Sequence, residues 1–313
     1  MNSFTHNPVL LAEVLEALAP KSGRRYLDGT LGGAGHAGEI LRVSSPEGWL
    51  LGIDRDGTAL AAAAERLAPY AGRFELHQGT FDRMGEWAEP GSCDGVLLDL
   101  GVSSPQLDQP GRGFSFREDG PLDMRMDPSG GMTASEWVNG AAVEELERIF
   151  WEFGEEPRAR RLARAIGEER NVQPLTSTRQ LAALIERVAP RGGARLHPAT
   201  RVFQALRMVV NDELGQLERG LEAAFTCLRA GGRLAVITFH SLEVRALKQF
   251  AKPRVLDYTY DGEVDVPELR RPKAAELRWL VRRAQTASEA ELTANPRSRS
   301  AQLRVLERIG HGS

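Results

Sequence analysis

The stretch Asp28-Gly29-Thr30-Leu31-Gly32-Gly33-Ala34-Gly35-His36 decides how the chain is read. It follows Arg25-Tyr26-Leu27, a short run of strand character, and opens a helix-like segment over Gly35–Val43. Glycine at such a junction lets the backbone turn tightly, lets a ligand come close, and leaves the N–H groups of the helix start exposed. Gly33, Gly35 and Gly38 satisfy a G-x-G-x-x-G spacing. Alone that spacing is weak, since a strand–helix turn that binds nothing reads the same way. Its context is stronger. Asp54 ends the next strand, Trp49–Asp54, about 20 residues further on, where an acid grips a ribose diol.

Outward from this turn the alternation continues, with a helix over Ala59–Leu67 and strands at Phe74–His77 and Gly95–Asp99. Strands alternating with helices of this length imply βαβ units and a buried parallel sheet. Beyond Asp99 the pattern breaks. Residues 101–132 are rich in Gly, Pro, Ser and Asp and read as a long irregular loop. Only helices follow, over Ala142–Phe153, Arg158–Glu169 and Thr178–Val188, then a long one from near Pro198, with Pro157 and Pro198 placed as first-turn prolines. Alternation resumes at Arg233–Phe239 after a Gly231-Gly232 helix stop, with a helix over Leu242–Phe250 and strand-like runs at Leu277–Arg283 and Ala301–Ile309. The expected fold is α/β, one doubly wound, mostly parallel domain built from 1–104 and 216–313. An all-helical domain, 105–215, interrupts it.

The chain has 313 residues, 42% hydrophobic and 27% charged, which is ordinary globular composition and long enough for two cores. A run of about 18 apolar residues, the minimum for a membrane span, does not occur. The start MNSFTHNPVLLAEVLEALAP lacks a basic leader, so it does not read as a signal peptide. Cys93 and Cys227 are too few for a disulfide framework or a zinc cluster, and no metal site is expected. The expected location is cytoplasmic. A net charge of −3 taken whole disfavours a nucleic-acid partner, but the charge is unevenly spread. Residues 1–104 hold 8 basic and 14 acidic side chains, whereas 270–313 hold 10 and 4. The basic tail is therefore a local phosphate-binding candidate, against the commoner reading of a solvated face.

A ribose-binding acid beside a glycine loop fits two cofactor classes, a dinucleotide or S-adenosylmethionine. Asp28 favours the second, because a carboxylate there repels a pyrophosphate but accepts from the ammonium of a methionyl group. Asp99 ends the fourth strand, at the carboxyl edge where ligands bind in such sheets. An acid after Val96-Leu97-Leu98 is costly without a partner, so a site role ranks above a loop cap.

These motifs resemble those of a known family. Asp28–His36 and Asp99-Leu-Gly-Val-Ser-Ser-Pro-Gln-Leu-Asp108 are similar to segments of the bacterial 16S rRNA (cytosine-N4)-methyltransferases, the RsmH/MraW family. So are Arg112-Gly-Phe-Ser-Phe116, Pro121-Leu-Asp-Met-Arg-Met126, and Phe203-Gln-Ala-Leu-Arg207 leading to Asn211. Phe239-His-Ser-Leu-Glu243 and Asn295-Pro-Arg-Ser-Arg-Ser300 complete the set, which runs in order along essentially the whole chain. The resemblance implies a class I S-adenosylmethionine-dependent methyltransferase with a helical insert. It further implies methylation of the exocyclic N4 of a decoding-centre cytidine in 16S rRNA of the small ribosomal subunit. Carried over by position, its cofactor set is Ala34, Gly35, His36, Asp54, Phe81, Asp99 and Gln106, to which the residue reading adds Asp28 and Gly33. Phe81 would face the adenine; without the resemblance, core packing is the better reading.

Cytosine N4 is a poor nucleophile, since its lone pair is delocalised into the ring. An enzyme must align it with the methyl group and take up its proton, so positioning contributes most. Asp99 is the candidate acceptor. Other amino-methyltransferases resemble one another in an acid or Asn followed by Pro-Pro-aromatic here, and Asp99-Leu100-Gly101-Val102 departs from that. A stacking ring must then come from elsewhere. Phe114 and Phe116, beside Arg112 and Arg117, are candidates for an RNA-stacking surface, or else pins that hold their loop to the insert. His240 lies where it could approach the base, Ser241 reads as a helix cap, and Arg297 and Arg299 suit phosphate contacts or cover the last strand. His77 and His197 read as structural. Rival readings are a nicotinamide-dependent oxidoreductase and a non-catalytic ribosome-assembly factor. The sequence leaves the oligomeric state open, a homodimer included.

Overall fold

The computed structural model describes residues 8–191, 197–260, 265–281 and 283–310. These divide into two compact units, 1–101 with 214–313, and 102–213.

The first unit is built on a sheet of eight strands among the described residues. The sequence supplies β1 (Arg25–Asp28), β2 (Trp49–Asp54), β3 (Phe74–Gln78), β4 (Cys93–Asp99) and β5 (Leu228–Thr238). They pair in parallel in the order β3-β2-β1-β4-β5. Short strands β6 (Tyr258–Tyr260) and β7 (Arg270–Pro272) form a separate hairpin. β8 (Leu277–Trp279), β9 (Gln285–Thr286) and β10 (Gln302–Arg308) complete the main sheet. β10 runs antiparallel between β5 and β8, and β9 joins its other end. This is a Rossmann-like sheet with one reversed strand. Around it lie α1 (Leu11–Leu18), α2 (Gly35–Val43) and α3 (Gly57–Leu67), together with helices introduced below. The central strands are buried on both faces, as their unbroken Val, Leu and Ile runs require. One apolar layer includes Leu27, Val96, Leu98 and Val236, the other Tyr26, Leu50, Leu97 and Ile237. The residues alternate between layers because successive strand side chains point to opposite faces.

The second unit holds α4 (Ser104–Asp108), α5 (Ala134–Gly140), α6 (Val143–Glu152), α7 (Ala159–Val172), α8 (Thr178–Val188) and α9 (Ala199–Val210). It has its own core, in which Leu146, Ile149, Phe150, Leu162, Ile166, Ile185 and Phe203 meet. α10 (Glu213–Cys227), α11 (Ser241–Val255) and α12 (Glu289–Ala294) return to the first unit or flank it.

Several local expectations need correction. The long helix from Pro198 is two helices, α9 and α10, separated at Asn211-Asp212, where Asp212 takes the left-handed conformation (φ 48°). Gly231-Gly232 is not a helix stop. The helix ends at Cys227, and the glycines lie inside β5, where the pairing with β4 steps from Leu228 to Arg233 opposite only Cys93 to Gly95. Gly231 has φ 75°, so glycine allows the extra loop of backbone. Pro157 lies before the α7 cap, Arg158, while Pro198 is itself the α9 cap. The run expected at Leu277–Arg283 is strand only over its first three residues, and Arg282 lies outside the described residues.

Candidate active site at the carboxyl edge of the sheet

Three adjacent parallel strands each end in an aspartate: Asp28 on β1, Asp54 on β2 and Asp99 on β4. β1 lies between β2 and β4, so the chain leaves it at the point where strand order reverses. A doubly wound sheet opens its ligand crevice there.

The turn after β1 shapes this edge. Its positive φ values fall on Gly32 (51°) and Ala34 (57°), not on the first glycine of the G-x-G-x-x-G match. Ala34 is the cap of α2 in a left-handed conformation that costs an alanine about 1 kcal/mol. Backbone held so sits where surrounding contacts over-determine it. Gly29 is needed for space, since a Cβ there would lie 2.7 Å from Leu98 and 2.9 Å from Phe81. Gly35 is too, with Pro8 2.7 Å from its missing Cβ. Gly38 faces Leu67 at ordinary contact distance, so the last glycine of the match concerns helix packing.

Asp54 braces the turn, its two oxygens accepting from the N–H groups of Gly32 (2.7 Å) and Asp56 (2.8 Å). Burial raises its pKa and those two donors oppose the rise. Asp28 is 1% exposed and accepts from Thr30 N–H at 3.1 Å. Burial pushes its carboxyl up to about 7, the Thr30 N–H opposing the rise and the nearby Asp54 charge adding to it. The Thr30 hydroxyl accepts from the Asp99 N–H at 2.6 Å, tying β1 to β4 beside both acids. Nothing about Thr30 stood out in the sequence except its place between Asp28 and Gly32.

Asp99 is the most strained of the three electrostatically. Burial holds its carboxyl well above the usual range, and the Asp28 and Glu243 charges push the same way. Oδ1 is enclosed and has no hydrogen-bond partner among the described residues. Oδ2 lies 3.8 Å from His36 Nδ1. His36 Nε2 sits 2.9 Å from the Val9 carbonyl, which can only accept, so Nε2 bears the proton. In the neutral ring the Nδ1 lone pair then faces Asp99. His36 is 6% exposed, and its side chain as well as its backbone belongs to this edge.

Residues 3–309 of the chain match the MraW methylase family. The chain belongs to that family. Its fold is that of the class I S-adenosylmethionine-dependent methyltransferases, and it is a methyltransferase that uses this cofactor. It is 49% identical to the ribosomal RNA small subunit methyltransferase H of Syntrophotalea carbinolica over 98% of each chain. It is 48% identical to the protein of the same name in Geotalea uraniireducens, over 99% of this chain and all of that one. Among solved structures, a putative rRNA-methylase from Clostridium thermocellum aligns over 98% of this chain and all of its own, with 13% identity and a TM-score of 0.45.

In this methylase the remaining expected site residues are distributed as follows. Phe81 opens a short turn after β3, partly buried; a Cβ at Gly220 of α10 would lie 2.3 Å from its ring. Gln106, in the helical unit, is 6% exposed, and its Oε1 accepts from Ser103 N–H in the α4 capping box. His240, not Ser241, caps α11. Its Nδ1 accepts from Glu243 N–H at 3.5 Å, while its Nε2 lies 3.0 Å from Glu243 Oε1 and is buried without a hydrogen-bond partner among the described residues.

On the 112–117 loop, burial favours the loop pin over the stacking surface for Phe114. Phe114 is 7% exposed inside the core of the helical unit, and a ring so placed cannot stack a base without leaving that core. Arg112 donates to the carbonyls of Arg125 and Met126 and lies over Phe114, so it holds the loop. Phe116 is half-buried against Phe203 and His197. Arg297 and Arg299 stand exposed on a turn anchored by buried Ser298. His77 stacks on Trp87 beside Glu75, a structural arrangement.

Proposed function

We propose that the chain methylates the exocyclic N4 of a decoding-centre cytidine in 16S rRNA of the small ribosomal subunit. The observation that carries this reading is near-half identity, over nearly full length, to proteins named ribosomal RNA small subunit methyltransferases. The chemistry of the carboxyl edge supports it. Two buried carboxyls, Asp28 and Asp99, have raised pKa values, and Asp99 Oδ1 has no partner among the described residues. A ligand bearing an ammonium and a sulfonium would compensate both, whereas a pyrophosphate would aggravate them. When bound, S-adenosylmethionine supplies an electrophilic methyl group.

The chain's own residues divide the remaining work. Asp28 holds the ammonium, Asp54 the ribose hydroxyls, and the 33–36 backbone lines the methionyl end. Phe81 packs against the adenine, and Gln106 belongs to the cofactor set. Asp99 Oδ1 would accept a hydrogen of the substrate amino group, hold the amine in line, and take its proton as the C–N bond forms and the methyl carbon–sulfur bond breaks to leave a neutral thioether. That role needs the ionised carboxylate, which a neighbouring cation favours. The helical insert, 105–215, presents the RNA, and Arg297 and Arg299 meet phosphates. The protein works as monomer or homodimer in the cytoplasm.

Labelled cofactor should mark N4 of one cytidine when the protein is incubated with assembled or assembling small subunits, and should not mark free cytidine. Digestion and mass spectrometry identify the product. Label on no RNA substrate would favour a non-catalytic assembly factor, and label on C5 or O2′ would overturn the N4 assignment.

A further inference from the structure

The helical unit carries a concentration of positive charge that methyl transfer leaves unused. We propose that the start of α7, with the end of α6 beside it, is a second RNA-binding surface. It takes the sugar–phosphate backbone of the substrate and stacks one unpaired base on Trp151. The inference rests on the rRNA reading above.

A surface cavity of about 580 Å³ is lined by Arg158, Arg160, Arg161, Arg164 and Arg187, with Glu168 as its acid. A neighbouring cavity of about 580 Å³ shares Pro157 and Arg160 with it and is lined by Trp151, together with Glu144, Glu147 and Arg148. Trp151 is 63% exposed, a large apolar ring turned to solvent. Beneath this surface Leu162, Ala163 and Ile166 are fully buried, so α7 is a rigid support.

What separates these arginines from ordinary surface charge is their lack of partners. Elsewhere in the same unit Arg148 pairs with Glu145 and Glu152, Arg125 with Asp123, Arg207 with Glu213, and Arg187 with Glu169. Arg158, Arg160, Arg161 and Arg164 are exposed and pair with no carboxylate among the described residues. Glu156, the nearest acid in sequence, accepts from the Arg158 backbone N–H and lies 3.8 Å from Arg201. The four also gather at the positive end of a 14-residue helix whose first turn holds no acid. Helix N-termini favour anions, so this placement is unfavourable in the free protein. Arg160–Arg164 and Arg161–Arg164 add like-charge contacts at i, i+4 and i, i+3. A phosphate relieves all of these at once, and the planar guanidinium fork matches its geometry. An exposed ring beside such an array suits a base, since stacking tolerates any sequence.

The test compares wild-type protein with Arg160→Gln/Arg161→Gln/Arg164→Gln, with Trp151→Ala, and with a charge control, Arg42→Gln/Arg83→Gln/Arg278→Gln. Binding to 16S rRNA fragments and to assembled small subunits is measured against salt, alongside S-adenosylmethionine affinity and thermal stability. The α7 triple variant should bind RNA at least about tenfold more weakly and flatten the log K against log[salt] slope by about 2. Trp151→Ala should weaken binding to single-stranded fragments about 5- to 100-fold. Cofactor affinity and melting temperature should hold, because the side chains are exposed and like-charge contacts are removed. Wild-type salt slope and affinity in the triple variant, or an equal loss in the charge control, would overturn the proposal. Loss on assembled subunits with naked rRNA binding intact would overturn it in favour of an acidic ribosomal protein. If wild-type protein itself neither binds nor methylates any rRNA substrate, the rRNA reading fails instead.

Discussion

At the residue scale, Asp28 and Asp99 differ in what surrounds them, and each makes its own prediction. Asp28 is held near pKa 7 by burial but must be ionised to hold an ammonium. Below pH 7 binding has to expel its proton, so S-adenosylmethionine affinity should fall as pH drops through about 7, by about tenfold per unit for one linked proton. Stability of the ligand-free protein has the opposite sign. A carboxyl raised above its unfolded value stabilises the fold at low pH, and that contribution is lost as pH rises toward 7. Titration calorimetry from pH 5.5 to 8.5 reads the affinity, and Asp28→Asn should bind weakly with this pH dependence removed. Affinity independent of pH in the wild type would rule the ammonium role out. With Asp99 as the proposed amino-group acceptor, Asp99→Asn should slow transfer about 10²–10⁴-fold while cofactor affinity changes far less. Single-turnover kinetics beside calorimetry separates the two, and equal losses in both would make Asp99 a cofactor ligand only.

At the element scale, Asn211 is the buried polar side chain at the α9–α10 break. It is 2% exposed; its Oδ1 accepts from Met126 N–H, and its Nδ2 donates to the carbonyls of Met124 and Arg207. Asn211→Ala leaves a buried N–H and two carbonyls without these bonds, a loss of about 2–3 kcal/mol. Chemical denaturation should show it as a lower midpoint at unchanged slope; an unmoved midpoint would mean the break stands without it. Phe116→Leu, which trims a half-buried ring packed on Phe203, should cost about 1 kcal/mol, again read in the unfolding midpoint. The break was hidden in the sequence because Leu206, Val210, Leu214, Leu217 and Leu221 keep a helical apolar spacing across Asn211–Glu213. The strands were legible for the converse reason: Trp49–Asp54 is apolar nearly throughout, its end marked by a charge. The acids Asp28, Asp54 and Asp99 could likewise be read, since each terminates an apolar run. The side chain of His36 could not, because its bond to Val9 joins residues 27 apart. Phe114 and Phe116 were ambiguous in principle, since an aromatic beside arginine describes a base platform and a loop pin equally well.

At the scale of the whole molecule, the small net charge of −3 conceals a division that the structure redraws. The basic tail carries less free charge than its sequence suggests. Arg308 donates to the carbonyls of Phe225 and Thr226, Arg278 pairs with Glu307, and Arg270 pairs with Asp265. Arg304 is half-buried, and burial lowers its pKa. Among the described residues, exposed arginines without carboxylate partners are denser at the start of α7 than along the tail. Methyl transfer to rRNA should therefore slow steeply with added salt, because phosphate contacts release counterions. Cofactor affinity should hardly move, since charges inside a pocket are screened little. Arg297→Gln/Arg299→Gln should reduce the salt dependence of KM for rRNA by less than the α7 triple substitution does. Steady-state kinetics between 50 and 300 mM salt, about the range in which such slopes are readable, orders the two variants. The reverse order would return the main phosphate contact to the tail and leave the α7 arginines as solvated charge.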